Sequence, residues 1–123
     1  MTAADRARIH DAMVRAEDGT NARVAVRFIP DAKIDALERA KAEFEKAGMH
    51  GHEPRNAAMI LVAPNARNFA IIGDRELHAR VGDGFWDEAV ADMREHFSRG
   101  DITGAVVAGL DRLSVALHEH FAR

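Results

Sequence analysis

The sequence predicts an α/β protein, a three-layer α/β/α sandwich around a small mixed sheet. Three observations carry this. The apolar residues change period along the chain in the order α-β-α-β-β-α-α. The run AAMILVA, Ala57 to Ala63, is apolar throughout and of strand length, as expected for a strand covered on both faces. The segments around the strands repeat apolar residues at helical spacing, so helices are on hand to cover the sheet from each side.

Taken in order, Ala3 to Asp18 places Ile9, Ala12, Met13 and Ala16 at helical spacing, with Thr2 and Asp5 as a cap and Gly19 as the stop. NARVAVRFI then alternates. Ala22, Val24, Val26 and Phe28 fall on one side, Arg23, Ala25 and Arg27 on the other, and Pro30-Asp31 ends the strand. From Asp31 to Ala47, Ile34, Leu37, Lys41 and Phe44 lie along one helical face, and Gly48 closes it. MHGHEPRN is a loop, AAMILVA the central strand, and APNAR a turn of hairpin length that returns through NFAIIG. Two or three helices follow. Arg75 to Val81 forms a short one, and Phe85 to Ser98 turns Phe85, Trp86, Ala89, Val90, Met93 and Phe97 toward a core. Asp101 caps a last helix to about Phe121, striped by Val106, Leu110, Leu113 and Leu117. Gly104 and Gly109 cost roughly 1 kcal/mol each inside a helix, which implies a close approach to the sheet or to a neighbouring helix.

The 123 residues suit one domain, residues 1–123, and show no repeat, linker or low-complexity stretch. Hydrophobic residues make up 47% and charged residues 30%, the balance of a folded chain. The net charge of −3 is spread without a basic stripe, which argues against nucleic acid as a partner. The absence of cysteine excludes disulfides and thiolate metal sites. The first residues lack the apolar core of a signal peptide, and no run is long enough to span a bilayer, so the expectation is a cytoplasmic protein without a membrane segment.

A set of short pieces recurs in order along the chain: Glu17-x-x-Thr20, Met49, Arg55-Asn56, Phe69-Ala70-Ile71-Ile72-Gly73-Asp74, Val81-Gly82, Trp86, Met93, Phe97, Gly100 and Leu117-x-x-x-Phe121. Together they resemble the TPM domain family, named from thylakoid-lumen, photosystem-repair and receptor-modulator proteins. The resemblance covers roughly residues 9 to 121 and implies a mixed sheet between helical layers. For some relatives it also implies calcium binding and a phosphatase activity. This chain departs from the family pattern in His52-Glu53-Pro54 ahead of Arg55-Asn56, where Thr-x-x is frequent. It departs again at Arg23, where an acid or amide is frequent.

Glu17, Thr20, Arg55, Asn56 and Asp74 form the candidate binding cluster, because each sits at a strand end or in the loop beside it, where ligands of α/β proteins bind. If the first two strands are parallel, the Arg55 loop meets the Glu17 turn, and the hairpin returns Asp74 to the same end. Gly73 allows a close approach or a positive φ. Asp74 also reads as a plain N-cap for the helix beginning at Arg75. A hard cation such as calcium needs about six oxygen ligands, toward which Asp74, Glu17 and Asp83 are the candidates. His50-x-His52 lies in a loop and suits a transition metal only if His78 or Asp74 comes near, whereas His118-x-His120 falls on opposite helical faces. Trp86 falls on the core-facing stripe of its helix.

For phosphate-ester hydrolysis, Asp74 would be nucleophile or metal ligand and Arg55 the charge clamp. No cysteine nucleophile, phosphate-cradling glycine loop or two-metal His/Asp pattern accompanies them. The sequence therefore favours a non-catalytic accessory domain that binds a protein partner, with a divalent cation as an added organiser. A weak metal-dependent phosphatase acting on phosphomonoesters is the alternative.

Overall fold

The computed structural model describes all residues, 1–123. Its elements run α1 (Ala3–Glu17), β1 (Val24–Phe28), α2 (Ala36–Lys46), β2 (Ala58–Ala63), β3 (Asn68–Gly73), α3 (Arg75–Val81), α4 (Asp83–Ser98) and α5 (Ile102–Phe121). Short 3₁₀ turns at Met49–Gly51 and Pro64–Ala66 precede β2 and β3. The sheet order is β1-β2-β3. β1 runs parallel to β2, with Val24 opposite Ala58, and β3 returns antiparallel, with Gly73 opposite Ala58.

All residues of β2 are buried, so both faces of the sheet need a cover. On one face Ala58, Ile60 and Val62 pack with α1, α4 and α5 through Ile9, Ala16, Met93, Leu110 and Leu113. On the other, Leu61 and Ala63 meet Ala36 and Ala40 of α2, while Met59 meets Phe44 and Met49. These are the three layers that the sequence predicts. The α5 stripe of Val106, Leu110, Leu113 and Leu117 is fully buried, and each leucine contributes about 1.5–3 kcal/mol on leaving water.

The capping chemistry is where the sequence places it. Thr2 and Asp5 form a reciprocal capping box on α1. The Asp101 side chain accepts the Gly104 N–H at the start of α5.

Two details differ from expectation. The helix expected from Asp31 begins instead at Ala36, capped by Asp35, and it buries Ala36, Ala40 and Phe44 while Leu37 is left 46% exposed. Small residues let the helix axis come close to the flat sheet, and that closeness outweighs burial of the larger Leu37. The two glycines of α5 also separate. A Cβ on Gly109 would lie 2.7 Å from Met93 Sδ and 2.9 Å from Ile60 Cδ1, the close approach that its position implies. A Cβ on Gly104 would strike the Asp101 cap instead, so Gly104 is there for the cap.

The end of α5 is tied back to the turn after α1. Thr20 and Ala122 form an isolated antiparallel bridge, and the Arg123 N–H donates to Gly19 O at 2.8 Å. Beside it, His118 Nδ1 stands 2.7 Å from Ser114 O and Nε2 stands 2.7 Å from Asp18 O. Carbonyl oxygens only accept, so satisfying both contacts requires the doubly protonated ring. The two backbone carbonyls accordingly raise the His118 pKa above its ordinary 6.5.

A raised folded-state pKa gives stability that is fully present below the unfolded value and lost as pH rises through the folded value. The stability advantage of the native chain over His118→Gln is therefore expected to be larger one pH unit below 6.5 than well above the folded value, by urea unfolding at each pH. An advantage independent of pH would overturn this assignment.

Candidate functional site

Because β1 and β2 start at the end of the sheet where β3 finishes, the loops carrying Glu17, Thr20, Arg55, Asn56 and Asp74 meet there. They meet as two adjoining groups. In the first, Glu17 Oε2 accepts the Val24 N–H at 2.6 Å, and the Thr20 hydroxyl donates to Glu17 O at 2.8 Å and accepts from Ala22 N–H at 3.2 Å. Asn56 Nδ2 donates to Asn21 Oδ1 at 2.9 Å, and His52 Nε2 lies 2.8 Å from Asn21 O. The loop before β2 is thus stitched to the loop before β1.

The second group is built on Asp74, whose side chain is 4% exposed. Arg55 grips its carboxylate with both arms of the fork, Nε to Oδ2 at 2.9 Å and Nη2 to Oδ1 at 2.8 Å. Asp74 Oδ1 also accepts the Arg75 N–H at 2.8 Å, which caps α3. Arg55 serves the same helix with its main chain: its carbonyl accepts from Glu76 N–H at 2.9 Å and Leu77 N–H at 3.4 Å, and its N–H donates to the Glu76 carboxylate. The amides at the start of α3, which no helical carbonyl can reach, are thereby satisfied by these two residues.

His50 completes the group. Its Nδ1 is 2.9 Å from Arg55 Nη2 and 3.3 Å from Asp74 Oδ2, and its ring meets Phe44 edge-on. An arginine only donates and a carboxylate only accepts, so the tautomer decides the contact: a bare Nδ1 accepts from Arg55, and Nδ1–H donates to Asp74. Burial by itself pushes the Asp74 carboxyl up, but Arg55, the Arg75 amide and His50 outweigh it and hold the pKa below the usual 3.8.

Gly73 has a definite task. It keeps an ordinary φ, and a Cβ there would stand 2.5 Å from Trp86 Cη2 and 2.9 Å from Leu77 Cδ2, so the absent side chain is what admits the indole. Trp86 itself is half-buried and not enclosed in the core, because its ring lies over the end of β3 with the N–H donating to His78 Nδ1 at 2.8 Å.

The ion-ligand candidates are dispersed. Glu17 and Asp74 are engaged as described, and Asp83, its side chain 93% exposed, starts α4 beside His78 Nε2 at 3.3 Å. His50 and His52 turn to different partners, and no three His, Asp or Glu side chains come together to hold an ion. A small pocket of about 190 Å³ opens next to Asp74, walled by Lys41, Phe44, His50, Ile72 and Gly73. Sequence reasoning missed Asn21, and it gave His50 a different role. Asn21 meets Asn56 and His52 more than thirty positions away, and His50 meets Asp74, 24 positions on, as well as the nearby Arg55, so no local pattern encodes either role.

The molecule is thus an α/β/α sandwich whose sheet end is locked by an arginine clamped on a buried carboxylate. The model of the TPM domain matches residues 1–116, and the chain belongs to that family. It is similar to the NMR structure of the BA42 protein from the psychrophilic bacterium Bizionia argentinensis, with 29% identity, coverage of 99% of this chain and 84% of that one, and a TM-score of 0.83. The N-terminal domain of the cg2496 protein from Corynebacterium glutamicum shares the fold at 17% identity and TM-score 0.75, over 95% of this chain and 74% of that one. So does the N-terminal domain of a protein from P. gingivalis, at 13% identity and TM-score 0.81, over 97% and 77%. No curated protein matches the chain significantly. No helix is long and apolar enough to cross a membrane.

Asp74→Asn keeps an acceptor for the cap but loses the charge that Arg55 holds, and is expected to cost roughly 2–3 kcal/mol in urea unfolding near neutral pH. Because the folded pKa is depressed, this contribution is present above the usual 3.8 and fades as pH falls through the folded value, so the gap between native and variant should close in acid. Gly73→Ala drives a methyl into a rigid indole and should destabilise by about 1–3 kcal/mol. Made in a Trp86→Leu background, the same change should add much less of that cost, with the Leu77 contact as the remainder. An undiminished cost would remove the indole contact as the reason for the glycine.

Proposed function

We propose that this chain is a non-catalytic accessory domain that works by holding a surface for a protein partner. The observation that carries this reading is the engagement of Asp74. A nucleophile or metal ligand needs a free lone pair aimed at the incoming group, yet three of the roughly four acceptor sites of Asp74 are taken, two by Arg55 and one by the Arg75 N–H, and His50 Nδ1 stands 3.3 Å from the oxygen that keeps the last. Arg55, the candidate charge clamp, spends its fork and its main chain on the same knot. Such a clamp maintains a fold and orders the loops around it.

A divalent cation is an addition to this reading and not its basis. Calcium calls for several convergent oxygens, while Glu17, Asp74 and Asp83 are engaged separately. The buried acceptor without a donor at this end of the sheet is the neutral amide oxygen Asn56 Oδ1. These residues do not make a fitting set for calcium, and no step is derived through it.

The alternative, a weak metal-dependent phosphatase using Asp74 and Arg55, draws on the pocket beside Asp74, where Lys41 and His50 offer nitrogen donors for an anion. It requires Asp74 to leave the clamp during turnover.

Two measurements decide between them. The native chain, treated with chelator and then supplied with magnesium, manganese or millimolar calcium, is expected to hydrolyse para-nitrophenyl phosphate no faster than buffer. Asp74→Asn is expected to lower the melting temperature, and calcium to leave the native melting temperature unchanged. Turnover that disappears in Asp74→Asn while melting is unaltered would establish the phosphatase. A calcium-induced rise in melting that the same variant abolishes would place a cation at Asp74.

A further inference from the structure

A groove of about 640 Å³ lies away from the clamp, between the turn joining β2 to β3, the second half of α4 and the first residue of α5. Phe69, Val90, Phe97 and Ile102 line it with apolar surface, all half-buried, and the Phe69 and Phe97 rings stand 5.2 Å apart. Arg67 and Arg94 flank that surface. Arg67 is the chain's one non-glycine residue at positive φ, and its N–H is held by Pro64 O at 3.1 Å, so its side chain departs from a fixed backbone.

The charge of this groove is unbalanced. Its lining contains no aspartate or glutamate, and neither arginine has an ion pair or a side-chain hydrogen bond. The acids next to it are engaged elsewhere: Glu95 faces Arg99 at 3.8 Å, and Asp101 is held by His96 and by the Gly104 N–H. Two other grooves match it in size. One, of about 650 Å³, adjoins it through Pro64, Gly100 and Ile102, and its acids are taken, Asp5 by the Thr2 N–H and Asp101 as above. The other, between α3, α4 and α5, makes the contrast. There Arg80, Arg112 and His120 stand among Asp92, Asp111 and Glu119, and Arg112 is already paired with Asp92 at 2.6 Å. That groove neutralises itself. The Arg67–Arg94 groove leaves two cations facing solvent over an aromatic floor, on a chain whose net charge is −3.

We infer that the Arg67–Arg94 groove is where this domain docks its partner, and that the docked segment is an acidic peptide carrying an aromatic or large aliphatic side chain between carboxylates. This rests on the partner-binding reading above and names its surface. Guanidinium groups pair with carboxylates, and an apolar side chain between them covers Phe69 and Phe97, the combination of apolar centre and polar rim that peptide sites use. Main-chain pairing with the edge of β3 is not the mode at this point, because the Phe69 N–H is already satisfied by Asn68 Oδ1 at 2.9 Å. Recognition is by side chains.

The probe is a capped pool of short peptides alternating Asp or Glu with Phe or Leu, with a matched pool in which Lys replaces the acids. Binding to the full chain is followed by amide chemical shifts at low and high salt. The acidic pool is expected to move the signals of Phe69, Arg94, Phe97 and Ile102. Its binding should weaken with salt, and Arg67→Asn combined with Arg94→Gln should reduce affinity about tenfold or more while leaving the melting temperature unchanged. Asn is chosen at position 67 because it tolerates the left-handed backbone. Equal binding of the Lys pool, no shifts with the acidic pool, or shifts confined to the α3–α5 groove or the Asp74 pocket would each overturn this assignment. The last result would leave the partner-binding reading standing, whereas phosphomonoester turnover bears on that reading and not on the groove.

Discussion

The structure depends on the burial of β2. A strand of Ala58, Met59, Ile60, Leu61, Val62 and Ala63 exposes nothing to water, so it exists only with a neighbour along each edge and a helical layer on each face. The parallel neighbour β1 needs a crossover, which supplies α2 for one face. The antiparallel neighbour β3 needs only a tight turn, and the chain beyond it, with α1, covers the other face. Placing β1 and β2 parallel and β3 antiparallel also brings three loops to one end of the sheet. The clamp is therefore a consequence of topology before it is a matter of side chains.

At that end, Arg55 and Asp74 solve a local problem. A seven-residue helix, α3, is too short to be stable by itself, and only Asp74 separates it from the last residue of a strand. Its unpaired amides are taken up by one carboxylate and one carbonyl, and the carboxylate is neutralised by the guanidinium on the residue that owns the carbonyl. Asp74 is out of water, where a charge is costly unless it is paired and hydrogen-bonded, and here Arg55 and the Arg75 N–H supply that, while Arg55 itself keeps some contact with solvent. The arrangement ties the loop before β2 to α3, and through His52 and Asn56 to the loop before β1 as well.

Much of this was legible in the sequence, for physical reasons that differ from residue to residue. The β2 run and the α5 stripe are one-dimensional patterns, set by burial and helical period, and they survive folding unchanged. Asp74 as a cap and Gly73 as a point of close approach are local chemistry, readable without a partner. What the sequence hid was long-range or relative. Leu37 looks like a core residue until the small size of Ala36 and Ala40 decides how near the helix sits. Gly104 and Gly109 look alike, yet one makes room for a cap and the other for Ile60 and Met93. His50 reads as a metal ligand in a loop, but its nitrogen is shared between Arg55 and Asp74. Trp86 has the periodicity of a core residue, and it packs against the core from the margin, over Gly73, without being fully enclosed.

That placement of Trp86 makes the protein its own optical reporter. The chain has a single indole, and it lies on the glycine immediately before Asp74. Its N–H is given to His78 Nδ1, with the opposite nitrogen, Nε2, beside Asp83 at 3.3 Å. Intrinsic emission therefore reads this end of the sheet without a label. A shift of β3 against α4 alters the surface on which the indole lies, and a turn of His78 removes the acceptor from its nitrogen. The spectroscopic handle is built into the sheet end that the arginine–carboxylate pair holds together.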